Sequence, residues 1–259
     1  NNINTPPLNI GLSVNPSISG HDYAAGGAAT TCVGIGLSQR GIQLYTPPPI
    51  GIRRPTIYCK NKNIDKYSQI GSYLKNNDGV ADPNTIYIIW GGANNIFIYE
   101  KNSEMQTAAQ DIIYNADILV KKGAKASNIY ILNLPKLGIT PLAKKENKVS
   151  LFNSLSETFN KELLIEFKNT NYNLIDVNNN FFKEIIDNKK ITIDNKTYTF
   201  SNTIEGLCKD LNINALRCIP DYSKKDWVTY LFEDDIHITS YGHYVLAKFI
   251  KEKIDKARI

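Results

Sequence analysis

The amino-acid sequence predicts an α/β protein, a three-layer α/β/α sandwich built around a mainly parallel central sheet. Two observations carry this prediction. Three short runs rich in β-branched and aromatic residues have the length of strands and lie at residues 84–90, 128–134 and 172–177. Two longer segments, 104–122 and 143–169, separate them and place apolar residues at helical spacing. Because strand–helix–strand connections are right-handed and pack their helices against the sheet, this alternation favours a sheet covered on both faces.

Residues that interrupt regular structure end these elements. The first strand-like run ends at Gly91-Gly92, the second run ends at Pro135, and the helical stripe of residues 104–122 stops at Gly123. These positions set the predicted boundaries of the two strands and of the helix between them.

The last part of the chain has a different pattern. Residues 191–200 alternate around Asp194-Asn195, which predicts a small β-hairpin. Residues 240–258 form an amphipathic stripe, and Thr239 or Ser240 can cap its start. The sequence thus predicts a final helix that closes the domain.

Length and composition are those of a single globular domain over residues 1–259. The chain has 42% hydrophobic and 21% charged residues, and at this size a core can form without a metal or a disulfide. The net charge is +5, from 30 Lys and Arg against 25 Asp and Glu. This mild, dispersed excess gives nucleic-acid binding no support; it fits ordinary solubility and also suits anionic lipid headgroups.

Several features are typical of an exported protein. The chain begins at Asn1 and its single methionine is Met105, so we expect that a leader has been removed. The sequence has no apolar run of about 18 residues that could span a membrane. Four cysteines agree with an oxidising compartment, although four reduced thiols would look the same. We therefore expect a secreted or periplasmic protein.

A candidate oxyanion site follows the first predicted strand. Ligands of an open parallel sheet bind beyond the carboxyl ends of its strands, and residues 91–95 stand at that place. Two glycines let the backbone approach a bound group, and the carboxamide of Asn94 can donate a hydrogen bond to a developing oxyanion. The same residues also suit a plain polar turn.

An imidazole base must come from His21, His237 or His243, the three histidines of the chain. Asp234 lies three positions before His237, just before the final helix, where a carboxylate can hold the imidazole in one tautomer and stabilise its cation. A surface loop whose aspartates serve turns is the alternative. His243 is predicted to be a packed or solvated helix residue, and His21 is the weaker candidate for a base. Histidine and cysteine spacings fit no metal site, so we expect no metal and no cofactor.

Four segments in order carry a resemblance to a known family: Tyr23 to Ala28 (YAAGGA), Trp90 to Asn95 (WGGANN), Asn133 to Pro141 (NLPKLGITP), and Asp234 to His237 followed by Thr239 and Gly242-His243. Together they resemble the GDSL (SGNH) lipolytic esterases over most of the chain, from about residue 15 to 250. The resemblance is closest to the bacterial secreted branch of phospholipases A, lysophospholipases and glycerophospholipid:cholesterol acyltransferases.

This resemblance implies a Ser-His-Asp triad that forms an acyl-enzyme on the same three-layer fold. His237 would be the base and Asp234 its orienter. The Gly27 backbone N–H and the Asn94 side chain would form the oxyanion hole together with the N–H of the serine. Two residues differ from the family's sequence pattern, and neither has one of these roles. Asn95 stands where the family usually has Asp, and Ile238 stands where Pro is common.

The nucleophile block of the family, Gly-Asp-Ser, is absent from the sequence. In the family it lies upstream of the Tyr-Ala-x-Gly-Gly segment, so we expect the nucleophilic serine upstream of Asn1. Ser13, Ser17 and Ser19 lack its glycine and its strand. There are two alternatives: two segments that flank a gap are joined near Pro7 and Leu8, or the protein is a pseudoenzyme without catalysis.

Cys208 and Cys218 enclose a loop of about ten residues, and a disulfide between them would stabilise the fold by about 2 to 3 kcal/mol. Cys32 and Cys59 would form a second bridge. The first loop is either a plain staple or a regulatory loop that an activating protease cuts, because it holds basic residues and precedes the Asp-His segment.

The sequence therefore predicts an exported serine esterase that hydrolyses acyl esters of phospholipids or lysophospholipids, with acyl transfer to a sterol as a further activity. We expect a monomer in transient contact with a membrane surface. Five apolar residues near the glycine turn would suit an acyl chain or belong to the core: Trp90, Ile96, Phe97, Ile98 and Tyr99. The alternatives are a carbohydrate O-acetyl esterase of the same fold and an inactive module that binds lipid or glycan.

Overall fold

A computed structural model of the protein describes residue 30, residues 69–208 and residues 221–258. The centre of the fold within these residues is a parallel sheet of three strands, ordered β1 (Tyr87–Ile89), β2 (Ile129–Leu132) and β3 (Asn173–Ile175). Tyr87 pairs with Ile129 across the first two strands, and Tyr130 pairs with Asn173 across the second two. The three predicted strands and their parallel arrangement are confirmed.

Helices connect these strands. The described α-helices are α1 (Gln69–Asn76), α2 (Ala93–Tyr99), α3 (Asn102–Lys121), α4 (Pro141–Lys145), α5 (Val149–Phe167), α6 (Glu184–Asn188) and α7 (Ser240–Ala257). Short 3-10 turns lie at Ala126–Asn128, Leu137–Ile139 and Trp227–Thr229, and a π-helical turn lies at Asn178–Lys183. The predicted helices at 104–122 and 240–258 are confirmed as α3 and α7. None of the helices in the described part of the chain is long and apolar enough to cross a membrane.

The helix predicted within residues 143–169 is confirmed as α5, but its predicted start is wrong, because residues 143–145 belong to the separate helix α4. Asn147 adopts a left-handed conformation with φ +54. Its N–H bonds to the carbonyl of Lys144 (3.2 Å), and the N–H of Lys148 bonds to the carbonyl of Ala143 (2.8 Å). This pair of bonds is a Schellman motif, in which asparagine takes the place of the more common glycine and ends the first helix.

The sheet is covered on both faces. Along β2, Ile129 and Ile131 face one core, formed with α3 and α5, whereas Tyr130 and Leu132 face a second core, formed with α6 and α7. All four side chains are almost completely buried. The predicted three-layer α/β/α architecture is therefore confirmed.

Two further strand pairs flank the second core. β4 (Lys190–Ile193) and β5 (Lys196–Thr199) form the predicted hairpin, and both turn residues, Asp194 and Asn195, have positive φ as a type I′ turn requires. β6 (Asn202–Gly206) and β7 (Tyr230–Phe232) form a parallel pair that the sequence pattern does not reveal. β7 leads through a short turn into α7, and this turn carries the predicted Asp-His pair.

Candidate active site

Asp234 and His237 lie in a closed turn between β7 and α7. The turn is closed by a hydrogen bond from the Glu233 N–H to the His237 carbonyl (2.8 Å) and by a bridge between Phe232 and Ile238. Within it, Asp234 Oδ1 accepts hydrogen bonds from the backbone N–H groups of Ile236 (2.7 Å) and His237 (2.6 Å). The other oxygen, Oδ2, lies 2.7 Å from His237 Nδ1. One carboxylate thus shapes the turn and also orients the imidazole.

The electrostatics of this pair suit a base and its orienting carboxylate. Burial alone would raise the pKa of Asp234, but the hydrogen bonds from the His237 ring and the backbone outweigh it and hold the pKa below its usual value. The hydrogen bond to Asp234, together with its charge, raises the pKa of His237 against the opposing effect of desolvation. Because Asp234 accepts the Nδ1 proton, Nε2 is the basic nitrogen of the neutral ring. The His237 side chain is 72% exposed, so a reactant can reach it.

Thr239, one of the two predicted cap residues, joins the Asp-His turn to the start of α7. Thr239 Oγ1 accepts a hydrogen bond from the Gly242 N–H (3.0 Å) and donates one to the Tyr230 carbonyl (2.7 Å). His243 follows in the first turn of α7, with an exposed side chain. Desolvation and the nearby His237 lower the pKa of His243, whereas the ring that contacts Asp234 is that of His237.

The glycine turn begins directly after β1. Gly92 has φ +113, and a Cβ atom at this position would lie 2.5 Å from the ring of Phe159 in α5. The turn therefore needs glycine both for its backbone conformation and for close packing. Asn94 lies half-buried in the first turn of α2. The structure places Asn94 at the carboxyl end of the sheet; its role as an oxyanion donor stays a prediction.

Asn95 has a contact that the sequence does not reveal. Its side chain is completely buried, and Oδ1 accepts a hydrogen bond from the backbone N–H of Thr30 (3.0 Å), 65 positions earlier in the chain. Thr30 lies three residues after Gly27, the other predicted oxyanion donor. Gly27 itself lies outside the described residues, as do His21, Cys32 and Cys59.

Polar side chains tie the carboxyl ends of the three strands together. Trp90 Nε1 after β1 donates to the carbonyl of Asn133 after β2 (3.1 Å). Asn133 Nδ2 in turn donates to Asp176 Oδ1 after β3 (2.8 Å). Trp90 remains 38% exposed at this edge. The network thus fixes an apolar ring next to the glycine turn.

Two of the apolar residues that the sequence offered for an acyl chain belong to the core. Ile96 is completely buried, and the ring of Phe97 packs at 5.5 Å against the buried ring of Phe152. Tyr99 is half-buried, and the side chain of Ile98 lies outside the described parts. Trp90 is therefore the best-exposed of the described candidates for contact with a substrate.

The end of β6 lies against the Asp-His turn. A Cβ atom at Gly206 would lie 2.7 Å from the Asp234 carbonyl oxygen, and the Cys208 N–H donates to the Glu233 carbonyl (2.8 Å). Cys208 is disulfide-bonded. Residues 209–220, including Cys218, lie outside the described residues, so the pairing of these two cysteines stays a prediction. Among the residues described, no group of three or more His, Cys, Asp or Glu could hold a metal ion.

Most of the chain matches a known protein family. The model of the family described as GDSL-like Lipase/Acylhydrolase matches residues 11–250. Both the glycine turn and the turn from Asp234 to His237 fall within the match. A search of curated proteins found none that matches the chain.

Proposed function

The chain belongs to the GDSL-like lipase/acylhydrolase family, and from that premise we propose that it is a serine esterase that hydrolyses acyl esters of phospholipids or lysophospholipids. Family membership implies ester hydrolysis in general. The substrate class and the triad are the parts that we propose. The observation that carries the proposal is the 2.7 Å contact between Asp234 Oδ2 and His237 Nδ1, with the imidazole open to solvent.

The geometry of this pair supports the following steps. His237 Nε2 takes the proton of a serine hydroxyl while the serine oxygen bonds to the ester carbonyl carbon. His237 then gives that proton to the departing alcohol, which leaves an acyl-enzyme. A water molecule attacks the acyl carbon, His237 accepts its proton, and the acid is released as the serine hydroxyl is restored. Asp234 stabilises the imidazolium in both halves of the cycle.

Two features support a lipid substrate. Trp90 presents part of its ring beside the glycine turn, where a bound acyl chain would lie. The net charge of +5 favours anionic surfaces. We propose that the protein is exported and touches the membrane surface transiently. If an alcohol such as a sterol outcompeted water for the acyl-enzyme, the same intermediate would give acyl transfer instead of hydrolysis.

Replacement of His237 tests the proposed mechanism. In the full-length protein we expect His237→Ala to lower the release of fatty acid from lysophosphatidylcholine on the order of 1,000-fold or more, because no base remains to take the serine proton. His243→Ala is the matched control, since it removes an exposed imidazole close by without changing Asp234. Activity that survives in His237→Ala would remove this residue from the role of base.

A fluorophosphonate probe separates the alternatives. Mass spectrometry of the intact, folded protein should show one adduct on a serine if the protein is a serine esterase. A folded protein that does not react would favour the inactive binding module. Labelling together with release of acetate from acetylated xylan, and no release of fatty acid from the lipid, would favour the carbohydrate O-acetyl esterase.

A further inference from the structure

Asp235, the neighbour of the proposed triad carboxylate, is itself buried. Its side chain is only 8% exposed, although Asp234 already makes the bonds that shape the turn. Placing a second carboxylate out of water is unfavourable unless it is paired and hydrogen-bonded. The buried carboxylate of Asp235 therefore needs a partner of opposite charge.

That partner is Lys145, the last residue of α4. Its Nζ lies 2.6 Å from Asp235 Oδ1 and 2.8 Å from Oδ2, distances of a charge-assisted contact with both oxygens. The backbone adds a second contact, since the Leu142 N–H donates to the Asp235 carbonyl (2.9 Å). One short helix thus holds Asp235 at its side chain and at its backbone.

α4 is itself anchored at its start. Thr140 Oγ1 caps the helix by accepting from the Ala143 N–H (3.3 Å), and it donates to the Leu137 carbonyl (2.7 Å). The Schellman motif described above ends the helix. The position of Lys145 is therefore set by bonds at both ends of its helix.

The loop before α4 is bound in turn by a polar stripe on α5. Asn160 exchanges two hydrogen bonds with the backbone of Leu134, at 2.8 and 2.7 Å. Ser156 Oγ accepts from the Leu137 N–H (3.1 Å), and Asn153 Oδ1 from the Gly138 N–H (3.0 Å). These three residues recur three and four positions apart, so they lie on one face of the helix. α5 packs into the core beside the sheet, so a continuous set of contacts leads from the core to Asp235.

We propose that Lys145 and Asp235 form a positioning pair, which holds the turn from Asp234 to His237 at a fixed place relative to the reacting ester. This inference rests on the proposed esterase function. The Asp234–His237 contact is local to the turn and does not need Lys145. Loss of the pair should therefore leave the base and its orienter together but move them relative to the substrate.

Charge removal at Lys145 tests the pair. In the full-length protein, Lys145→Met should lower kcat for lysophosphatidylcholine by roughly 10- to 100-fold at unchanged KM, because displacement of a catalytic group by about 1 Å has effects of this size. Lys145→Arg keeps two donors for the carboxylate and should restore kcat to within about threefold. Lys144→Met is the matched control, with the same change of charge on the same helix and an expected kcat within about twofold of the wild type.

The double variant Lys145→Met/Asp235→Asn covers the case in which the unpaired carboxylate prevents folding. It removes both charges and leaves no buried ion without a partner, and we expect it to fold with the same loss of kcat. A kcat equal to that of Lys144→Met in either variant, or no recovery in Lys145→Arg, would overturn the proposal.

A measurement independent of catalysis separates this inference from the proposed function. NMR relaxation dispersion should report microsecond to millisecond exchange of the His237 ring in Lys145→Met and in the double variant, but not in the wild type or Lys144→Met. A His237 ring as rigid in these variants as in the wild type would overturn the positioning role, even in a protein without esterase activity. A wild type that hydrolyses no ester while the exchange appears as expected would refute the proposed function alone.

Discussion

The Asp-His turn and the glycine turn both follow a strand directly, but they are stabilised in different ways. The Asp234 side chain bonds to the backbone N–H groups of Ile236 and His237 and to the His237 ring, which lie only two or three positions away. The glycine turn depends instead on a contact between Gly92 and Phe159 in α5 and on a bond between Asn95 and Thr30, 65 positions away. The proposed base and its orienter are thus assembled by local sequence, whereas the proposed oxyanion side is assembled by the tertiary fold.

The largest expected effect comes from breaking the local pair. In Asp234→Asn the side chain can still accept from the backbone but no longer carries the charge that stabilises the imidazolium. We expect kcat/KM to fall on the order of 1,000- to 10,000-fold. Steady-state hydrolysis of lysophosphatidylcholine measures kcat/KM. A loss of less than tenfold would contradict the orienting role of Asp234.

The pH profile of the same variant sharpens the test. The base must be neutral, and Asp234 raises the pKa of His237, so wild-type activity should decline as the pH falls through a value above about 6.5. In Asp234→Asn the pKa of His237 falls, and the decline should move to lower pH. His243 is a second imidazole near the ring, and its pKa is already lowered. We therefore expect His243→Gln to leave the pH of the decline unchanged. A shift in that variant would show that the decline reports the protonation of His243 and not of His237.

The glycine turn should respond to added volume. Gly92→Ala places a methyl group against the buried ring of Phe159 and requires alanine at φ +113. We expect the free energy of unfolding to fall by about 2 to 5 kcal/mol from overpacking and backbone strain together. Urea denaturation measures the change.

Gly79→Ala separates the effect of backbone strain from that of overpacking. Gly79 also has a positive φ, +79, but a Cβ atom there meets nothing within 4 Å. Backbone strain alone should lower the free energy of unfolding by about 1 to 2 kcal/mol. Equal losses in the two variants would show that contact with Phe159 contributes nothing at Gly92.

The same contrast explains which features the sequence could predict. The strands, α3, the hairpin and the capped start of α7 follow from patterns within about 20 residues, and so does the proximity of Asp234 to His237. The break between α4 and α5 does not follow from the pattern, because the apolar stripe begins only at Val149, after the left-handed Asn147.

The sequence pattern could not predict the features that join distant segments of the chain. The pairing of β6 with β7 and the ion pair between Lys145 and Asp235, 90 positions apart, have no local signature. The sequence does contain one indication of this ion pair. Asp234 and Asp235 are consecutive, although the bonds that shape the turn need only Asp234. The number of aspartates indicates a second contact, but only the tertiary structure identifies Lys145 as the partner.

The smallest expected effect concerns the long-range bond of the glycine turn. Asn95→Leu removes the acceptor of the buried Thr30 N–H, and an unsatisfied buried donor should lower the free energy of unfolding by about 1 to 3 kcal/mol. Asn95→Asp is the matched variant, because it keeps an oxygen acceptor and installs the residue that the family usually has. Chemical denaturation of both variants and the wild type at a pH low enough to keep the new carboxyl group neutral should show a smaller loss for Asp than for Leu, since no charge is then buried and only Leu leaves the Thr30 N–H without a partner. If both variants lost the same stability, the bond to Thr30 would not be what stabilises this turn, and its dependence on the tertiary fold would rest on Gly92 and Phe159 alone.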